Sequence, residues 1–267
     1  MPKCPNGKKH CDCTPEELRQ AALRNKPKVK APPKVFKVKD PDPDDRFSDI
    51  HPHLPQPPSL LLIVGSVKQG KSNLLVNLLC NPEMYKDKFD IVKIISNTLN
   101  ADPKGKLMNK YFDCEDHYTD EMITDIIESQ NKYEDFERPS IALVLDDILT
   151  KDFKKTNAVS FLATRYRHYG IGLLTFTTQS FRAVSTLIRS NSNAVIIMKQ
   201  QSTGKKSELT KIIEEYGEMF PDIFADLYHY AINDAPYSFL YLDLQTNPAT
   251  AYLRFEKKIA EGDKKLF

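Results

Sequence analysis

The stretch LLLIVGSVKQGKSNLLVNLL, residues 60–79, decides the fold class. Five apolar residues lead up to Gly65, as in a strand that is buried on both faces. After Lys71 the apolar residues recur with helical spacing, at Leu74, Leu75, Leu78 and Leu79. The stretch therefore predicts a buried strand, a tight glycine loop and the start of a helix.

The loop in this stretch fits the phosphate-binding pattern G-x-x-x-x-G-K-[ST]. Its glycines let backbone N–H groups surround phosphate oxygens, and the positive end of the helix dipole points to the same place. Lys71 is expected to contact the outer phosphates, and Ser72 to place its hydroxyl on Mg²⁺. The predicted ligand is ATP with Mg²⁺, bound by Gly65, Ser66, Val67, Lys68, Gln69, Gly70, Lys71, Ser72 and Asn73.

Two later strands end in polar residues that complete such a site. In SIALVLDD, residues 140–147, Asp146 is expected to bind Mg²⁺, directly or through water, and Asp147 to orient or deprotonate the attacking water. In LLTFTTQ, residues 173–179, Gln179 is expected to contact the γ-phosphate or that water. These features favour hydrolysis of ATP, although an acidic pair also occurs as an ordinary polar strand boundary.

From residue 59 onward the chain alternates strand and helix patterns. This order predicts an α/β fold with a mainly parallel sheet and helices on both faces. The predicted strands are Leu60–Val64, Ile91–Ser96, Ile141–Leu145, Leu173–Thr177 and Ala194–Met198. The predicted helices follow Lys71 and cover Thr119–Ser129, Asn157–Tyr169, Ala183–Arg189 and Ser207–Tyr216. Two further strands, Tyr237–Leu244 and Ala251–Phe255, predict a small β-hairpin extension at the carboxyl end.

Residues 1–58 are predicted to be a flexible arm rich in Pro and Lys, and residues 59–267 the folded domain that carries the phosphate-binding loop and the carboxyl-terminal extension. The basic stretch 18–39 suits phosphates or an acidic partner, and equally a solvated linker. A zinc site is a weak alternative to free thiols for Cys4, His10, Cys11 and Cys13.

The net charge, the number of cysteines and the length of the apolar runs bear on the protein's partners and cellular compartment. The net charge of +2 predicts no partner, and five cysteines favour a reducing intracellular compartment. No apolar run approaches the roughly 20 residues of a membrane span.

The segment GIGLLTFTTQSFRAVSTLIRSNSNAVIIMKQ, residues 170–200, resembles the FtsK–HerA superfamily of P-loop ATPases. More narrowly, it is similar to the genome-packaging ATPases of poxviruses, other large DNA viruses and virophages. Arg167-His168, FDIVKIISNT (residues 89–98) and APYSFLYLDLQ (residues 235–245) extend the resemblance.

The resemblance implies a RecA-like core of the ASCE type and an ATP-driven motor that moves double-stranded DNA independently of its sequence. It also implies a ring of identical subunits, a capsid or portal vertex partner, and a location in the virus factory of the host cytoplasm or in the virion. By position, Arg189 matches an arginine that acts in the neighbouring subunit. Asp147 stands where this superfamily often has glutamate.

Several alternatives stay open at this point. Arg165, Arg167 and Arg182 are further candidates for the arginine in trans. Two groups of lysines either contact DNA in a central pore or lie on solvated faces, and the sequence fits both readings equally well. The first group is Lys199, Lys205 and Lys206, and the second is Lys151, Lys154 and Lys155. Core or subunit contacts are favoured over base stacking for Tyr228, Tyr230, Tyr237 and Tyr241. The chain also suits an ATPase of another process, such as DNA transfer or protein remodelling, or a nucleotide-switched DNA-binding or structural protein.

Overall fold

A computed structural model describes residues 14–16, 19, 45–100, 103–135, 137–148, 157–201 and 207–267. The chain divides into two compact units, Met1–Pro43 and Asp44–Phe267, and the second carries the described sheet and helices. The amino-terminal Cys/His cluster and all the candidate pore lysines except Lys199 lie outside the described residues.

Ten strands of the described residues form one sheet in the order β10-β9-β8-β7-β6-β1-β5-β4-β2-β3. The six strands from β6 to β3 are parallel, and β7 to β10 add to them antiparallel. Their bounds are β1 Ser59–Val64, β2 Ile91–Ser96, β3 Asp113–Glu115, β4 Ile141–Asp146, β5 Ile171–Thr178, β6 Ala194–Met198, β7 Phe239–Asp243, β8 Thr250–Leu253, β9 Lys257–Glu261 and β10 Lys264–Lys265.

Seven α-helices of the described residues accompany the sheet, several with the hydroxyl caps that their sequences favour. The hydroxyls of Thr119, Ser185 and Ser207 each accept the backbone N–H three residues on, and so fix three helix starts. The helices are α1 Lys71–Cys80, α2 Pro103–Met108, α3 Asp120–Gln130, α4 Asn157–Arg165, α5 Thr186–Asn191, α6 Glu208–Tyr216 and α7 Phe224–Asn233.

Strand β1 shows why the opening stretch is continuously apolar. Its side chains alternate between two buried clusters, with Leu60 and Leu62 in one cluster and Leu61 and Ile63 in the other. Helix α1 adds its buried leucines to the second cluster. A strand covered on both faces has no solvent-exposed position for a polar side chain, so every residue of β1 is buried.

The register of the central strands brings three functional segments to one edge of the sheet. Strand β5 lies between β1 and β4, with Val64 opposite Thr178 and Asp146 opposite Thr177. Because these strands are parallel, their carboxyl ends meet where the loop after β1 begins. The predicted α/β fold with a mainly parallel sheet is confirmed.

Three features differ from the sequence predictions or extend them. The carboxyl-terminal part has four antiparallel strands, which include the predicted hairpin as β7 and β8. The helix predicted from Ala183 begins only at Thr186, because Val184 is extended and Ser185 is the cap. The sequence analysis did not predict α2, β3 or α7.

The compact unit begins at Asp44, earlier than the predicted boundary at residue 58. The side chains of Ile50 and Leu54 are buried in the same cluster as Leu78 of α1. The hydroxyl of Tyr85 donates a 2.6 Å hydrogen bond to the carbonyl of Pro55. Residues 45–58 therefore pack on the sheet unit despite their many prolines, because a few apolar anchors suffice.

We predict that Leu54→Ala lowers the free energy of unfolding by about 2 to 5 kcal/mol, the range for removing a buried leucine side chain. Urea unfolding of the full chain measures this loss. Leu187→Ala is the matched control because Leu187 is exposed, and its effect should stay within about 0.5 kcal/mol. Equal effects of the two substitutions would place residues 45–58 outside the cooperative unit.

Candidate nucleotide-binding site

Hydrogen bonds from the strands on either side of β1 hold the glycine loop in place. The amide of Gly65 donates to the carbonyl of Thr178 (3.1 Å), and the amide of Ser66 donates to the carbonyl of Lys199 (3.3 Å). The Ser66 hydroxyl accepts a 2.9 Å bond from the amide of Gln201. A Cβ at Gly65 would lie 2.8 Å from the Cβ of Met198, so this close approach requires glycine.

The loop and the first turn of α1 border a cavity of about 720 Å³. Its walls come from residues 67–73 on one side and from Thr98, Asp147, Gln179 and Tyr237 around it. At the start of α1, Gly70 is left-handed (φ 99°) and no side chain caps the helix. The first-turn amides therefore have no intrahelical acceptor, which makes this helix start suited to an anion. Gly65 and Ser66 anchor the loop and do not line the cavity.

Lys71 is buried, with 8% of its surface exposed, at the base of this loop. Its Nζ donates to the carbonyl of Gly65 (2.9 Å) and, at 3.5 Å, to that of Ser66. Burial lowers the pKa of the Lys71 ammonium group, while the charges of Asp147 and Asp146 oppose this change. The amine is therefore held beside the loop by carbonyls and carboxylates.

Asp146 ends β4, and hydroxyl groups surround its carboxylate. Its Oδ2 accepts from the Ser96 hydroxyl (2.7 Å) and the Thr98 hydroxyl (3.5 Å), and its Oδ1 accepts a short bond from Thr177. Burial raises the pKa of Asp146, and the hydrogen bonds from Thr177 and Ser96 act in the opposite direction. Asp146 is 3% exposed and lies behind the cavity wall rather than in it.

Asp147 lines the cavity and contacts Gln179 directly. Gln179 Nε2 donates to Asp147 Oδ2 at 2.9 Å. The backbone of Asp147 is left-handed (φ 50°), and its amide donates to the hydroxyl of Thr177 at 3.2 Å. This strained turn directs the residue after β4 into the cavity, and such strain is often found at functional sites.

The oxygen donors around the loop fit Mg²⁺ in chemical type. Ser72, Thr98 and Asp147 offer a hydroxyl or carboxylate at the cavity surface, and Asp146 lies behind them with its oxygens already accepting hydroxyl bonds. Among the described residues, no cluster of three or more His, Cys, Asp or Glu side chains forms a metal site. Mg²⁺ does not require one, because it commonly binds through one or two carboxylates, water and phosphate oxygens.

Arg189 lies outside this cavity. Its Nε is 3.1 Å from Glu215 Oε2, its Nη1 donates to the carbonyl of Val184, and its guanidinium lies 5.2 Å from the ring centre of Phe181. The side chain is only 10% exposed. Within one subunit, Arg189 therefore ties α5 to α6.

The other candidate arginines also lie apart from the cavity. Arg182 donates to the carbonyl of Ser207, and Arg165 lies 4.2 Å from the ring centre of Phe161. Arg167 is exposed after α4.

The sequence analysis missed four site residues. Ser96 and Thr177 hydrogen-bond Asp146, Thr98 contributes to both that network and the cavity wall, and Tyr237 covers the loop. For the three hydroxyl residues, the sequence signal is their position at or just after the carboxyl ends of mainly apolar strands, as in IIS and TFTT. Tyr237 has no such signal.

Helices that could cross a membrane are absent from the described part of the chain.

The strand order is that of a RecA-like P-loop fold, because one strand, here β5, separates β1 from the acidic strand β4. No protein-family model matches this sequence, and no curated protein matches it. Solved structures do match the fold. The DNA-packaging ATPase B204 from Sulfolobus turreted icosahedral virus superposes with a TM-score of 0.53 and 17% identity, over 74% of this chain and 98% of that chain.

Two further structures are of the genome-packaging NTPase B204 from Sulfolobus turreted icosahedral virus 2. Its AMP complex matches with a TM-score of 0.52 and 18% identity, over 73% of this chain and 96% of that chain. Its ATP-γ-S complex matches with a TM-score of 0.50 and 15% identity, over 74% and 98%. At such identities the likeness concerns the fold, and the RecA-like fold implied by the sequence resemblance is confirmed.

We predict that Thr177→Val lowers the rate of ATP hydrolysis by about 10- to 100-fold, the range for removing a supporting hydrogen bond behind a metal site. The Thr177 hydroxyl both donates to Asp146 and accepts from the amide of Asp147, so its loss disturbs both carboxylates. Phosphate release under saturating ATP measures the effect.

Thr175→Val is the matched control, because Thr175 is buried on the same strand two residues before the site. Wild-type turnover in Thr177→Val would show that this hydroxyl does not support the site, and a similar loss of rate in both variants would show a general effect of removing a buried hydroxyl from β5.

Proposed function

We propose that this protein is an ATPase that uses hydrolysis to translocate double-stranded DNA, most specifically to package a viral genome into a capsid. One observation supports the proposed ATP hydrolysis. A phosphate-binding loop, Lys71, the pair Asp146-Asp147 and Gln179 meet at the carboxyl edge of one parallel sheet. This combination serves a triphosphate and an attacking water better than any other ligand.

The geometry supports a role for each of these residues. The loop amides and the start of α1 bind the phosphates, and Lys71 contributes positive charge from the base of the loop. Asp147 accepts a proton from the attacking water, and Gln179 holds the Asp147 carboxylate in position through its 2.9 Å hydrogen bond. Mg²⁺, held by Ser72 and, through water, by Asp146, would neutralise charge on the phosphates. Asp147 takes the role of catalytic base at the position where the FtsK–HerA superfamily often has the longer glutamate.

The proposal that this ATPase translocates DNA rests on its similarity to known packaging proteins. The sequence resembles packaging ATPases of large DNA viruses, and the B204 structures are described as genome-packaging and DNA-packaging enzymes. On this basis we propose a homo-oligomeric ring that contacts DNA phosphates independently of sequence. The proposed partner is a capsid or portal vertex protein. The proposed location is intracellular, at the site where capsids are filled.

Two alternatives are separable by experiment. An ATPase of another process would hydrolyse ATP without stimulation by DNA. A nucleotide-switched DNA-binding or structural protein would bind ATP tightly without turnover. The direct contact between Asp147 and Gln179 favours turnover, because a switch that only binds nucleotide does not need an oriented carboxylate beside the cavity.

We predict that Lys71→Ala abolishes ATP hydrolysis and that Asp147→Asn binds ATP but does not turn it over. The wild-type rate should rise when double-stranded DNA is added. Phosphate release with and without DNA, read beside native mass, measures these effects. Lys86→Ala, an exposed lysine after α1, is the control and should behave as wild type. Normal turnover in both site variants would refute the assignment.

We also predict that Arg189→Ala subunits inhibit mixed rings more strongly than simple dilution. In trans action the guanidinium must leave Glu215 and stabilise charge on the phosphate of a neighbouring subunit. Titration of the variant into wild type at constant total protein measures the mixing curve. Unfolding of Arg189→Ala is followed in parallel to detect loss of the α5–α6 contact. A linear curve with unchanged stability would assign the trans arginine to another residue.

A further inference from the structure

A second, smaller cavity lies next to the larger one, beside α1. It measures about 220 Å³ and shares Gly70, Asn73 and Tyr237 with the larger one. Its floor is mainly apolar and consists of Met84, Met198, Phe239 and Phe255. We call this cavity the side slot. An apolar slot that opens into a phosphate site is the arrangement expected for the non-phosphate part of a ligand.

Tyr237 stands between the two cavities. Tyr237 is 66% exposed, unlike the buried Tyr228 and Tyr241. Of the two positions expected for it from the sequence, this exposure contradicts the core and does not test a contact between subunits. A Cβ built on Gly70 would lie 3.3 Å from both Cβ and Cδ1 of Tyr237, so this side chain packs directly on the loop. An exposed aromatic ring at a phosphate loop is a surface on which a planar base can stack.

Left-handed backbone conformations concentrate around the two cavities. Six described residues other than glycine have positive φ, and four of them line one or both cavities. They are Lys68, Asp147, Tyr237 (φ 63°) and Arg254 (φ 53°). Because this conformation costs energy for non-glycine residues, the fold maintains it where side chains must be held in fixed places.

The polar groups of the side slot differ in how far they are already paired within the protein. Arg254 is paired with Asp234 (2.7 Å) and with both oxygens of Glu256 (2.8 Å each), so the guanidinium and carboxylate that suit guanine are already engaged. Asn77 donates to the carbonyl of Asn73 (2.8 Å), which leaves its side-chain oxygen as an acceptor. The exposed amide of Asn73 lines both cavities. Asparagine amides suit the N6 and N7 edge of adenine.

We propose that the side slot binds the base of the nucleotide, with Tyr237 stacking on it and the Asn73–Asn77 face favouring adenine over guanine. This inference rests on the proposed function of the loop as a triphosphate site. It assigns to Tyr237 a role in choosing the substrate, separate from the residues that act on the phosphates.

The test compares binding of ATP with binding of inorganic triphosphate, which has no base, by calorimetry on the full chain. Tyr237→Ala should weaken ATP binding by about 10- to 100-fold, as expected for loss of one base–aromatic stack, and should weaken triphosphate binding much less. Tyr237→Phe should retain ATP binding, because the ring remains. Tyr133→Ala is the control, since Tyr133 is 47% exposed and follows α3, at the amino-terminal edge of the sheet.

Each other outcome overturns a defined part of the inference. Equal weakening of ATP and triphosphate in Tyr237→Ala would make Tyr237 a support for the loop and not a base contact. Unchanged ATP binding in Tyr237→Ala would show that the base does not bind in the side slot. The assignment of the triphosphate site would not be affected by this result. Equal affinities of the wild type for ATP and GTP would refute the adenine preference. A wild-type chain that binds neither ATP nor triphosphate would refute the proposed function itself.

Discussion

The parallel register of β1, β5 and β4 is the constraint on which the rest of the site depends. It places the end of the first strand, the end of the middle strand and the acidic end of the third strand at one edge. Three hydrogen bonds then connect all three strand ends: Gly65 donates to Thr178, the Thr177 hydroxyl donates to Asp146, and the amide of Asp147 donates to that hydroxyl. Because these bonds span neighbouring strands, a slip of one residue in register would separate the loop from its carboxylates.

This arrangement divides the work of the site between buried and exposed groups. Lys71 and Asp146 are buried and held by several hydrogen bonds, whereas Gln179 and Tyr237 are exposed at the cavity wall. Buried, fully bonded groups provide a fixed electrostatic framework, which needs little reorganisation when charge develops. Exposed groups are free to respond to a ligand. The proposed division is therefore a rigid phosphate centre with a more adaptable rim.

Much of the fold could be predicted from the sequence, because its main determinants are local. Continuous apolar runs mark strands buried on both faces, and the glycine–lysine pattern marks the loop between β1 and α1. Long-range partners have no such local pattern. The ion pair of Arg189 with Glu215, the packing of Ile50 and Leu54 on α1, and the position of Tyr237 over Gly70 all depend on contacts between distant segments. Prolines before residue 59 suggested an unfolded arm, but the buried residues Ile50, Leu54 and Pro55 pack residues 45–58 on the sheet unit.

A crystal structure of the protein with Mg²⁺ and a non-hydrolysable ATP analogue tests the central claim most directly. We expect the triphosphate against the amides of residues 67–73 and beside Lys71, with the γ-phosphate facing Asp147 and Gln179. A nucleotide bound elsewhere, or a bound nucleotide from which the Asp146-Asp147 pair points away, would contradict it.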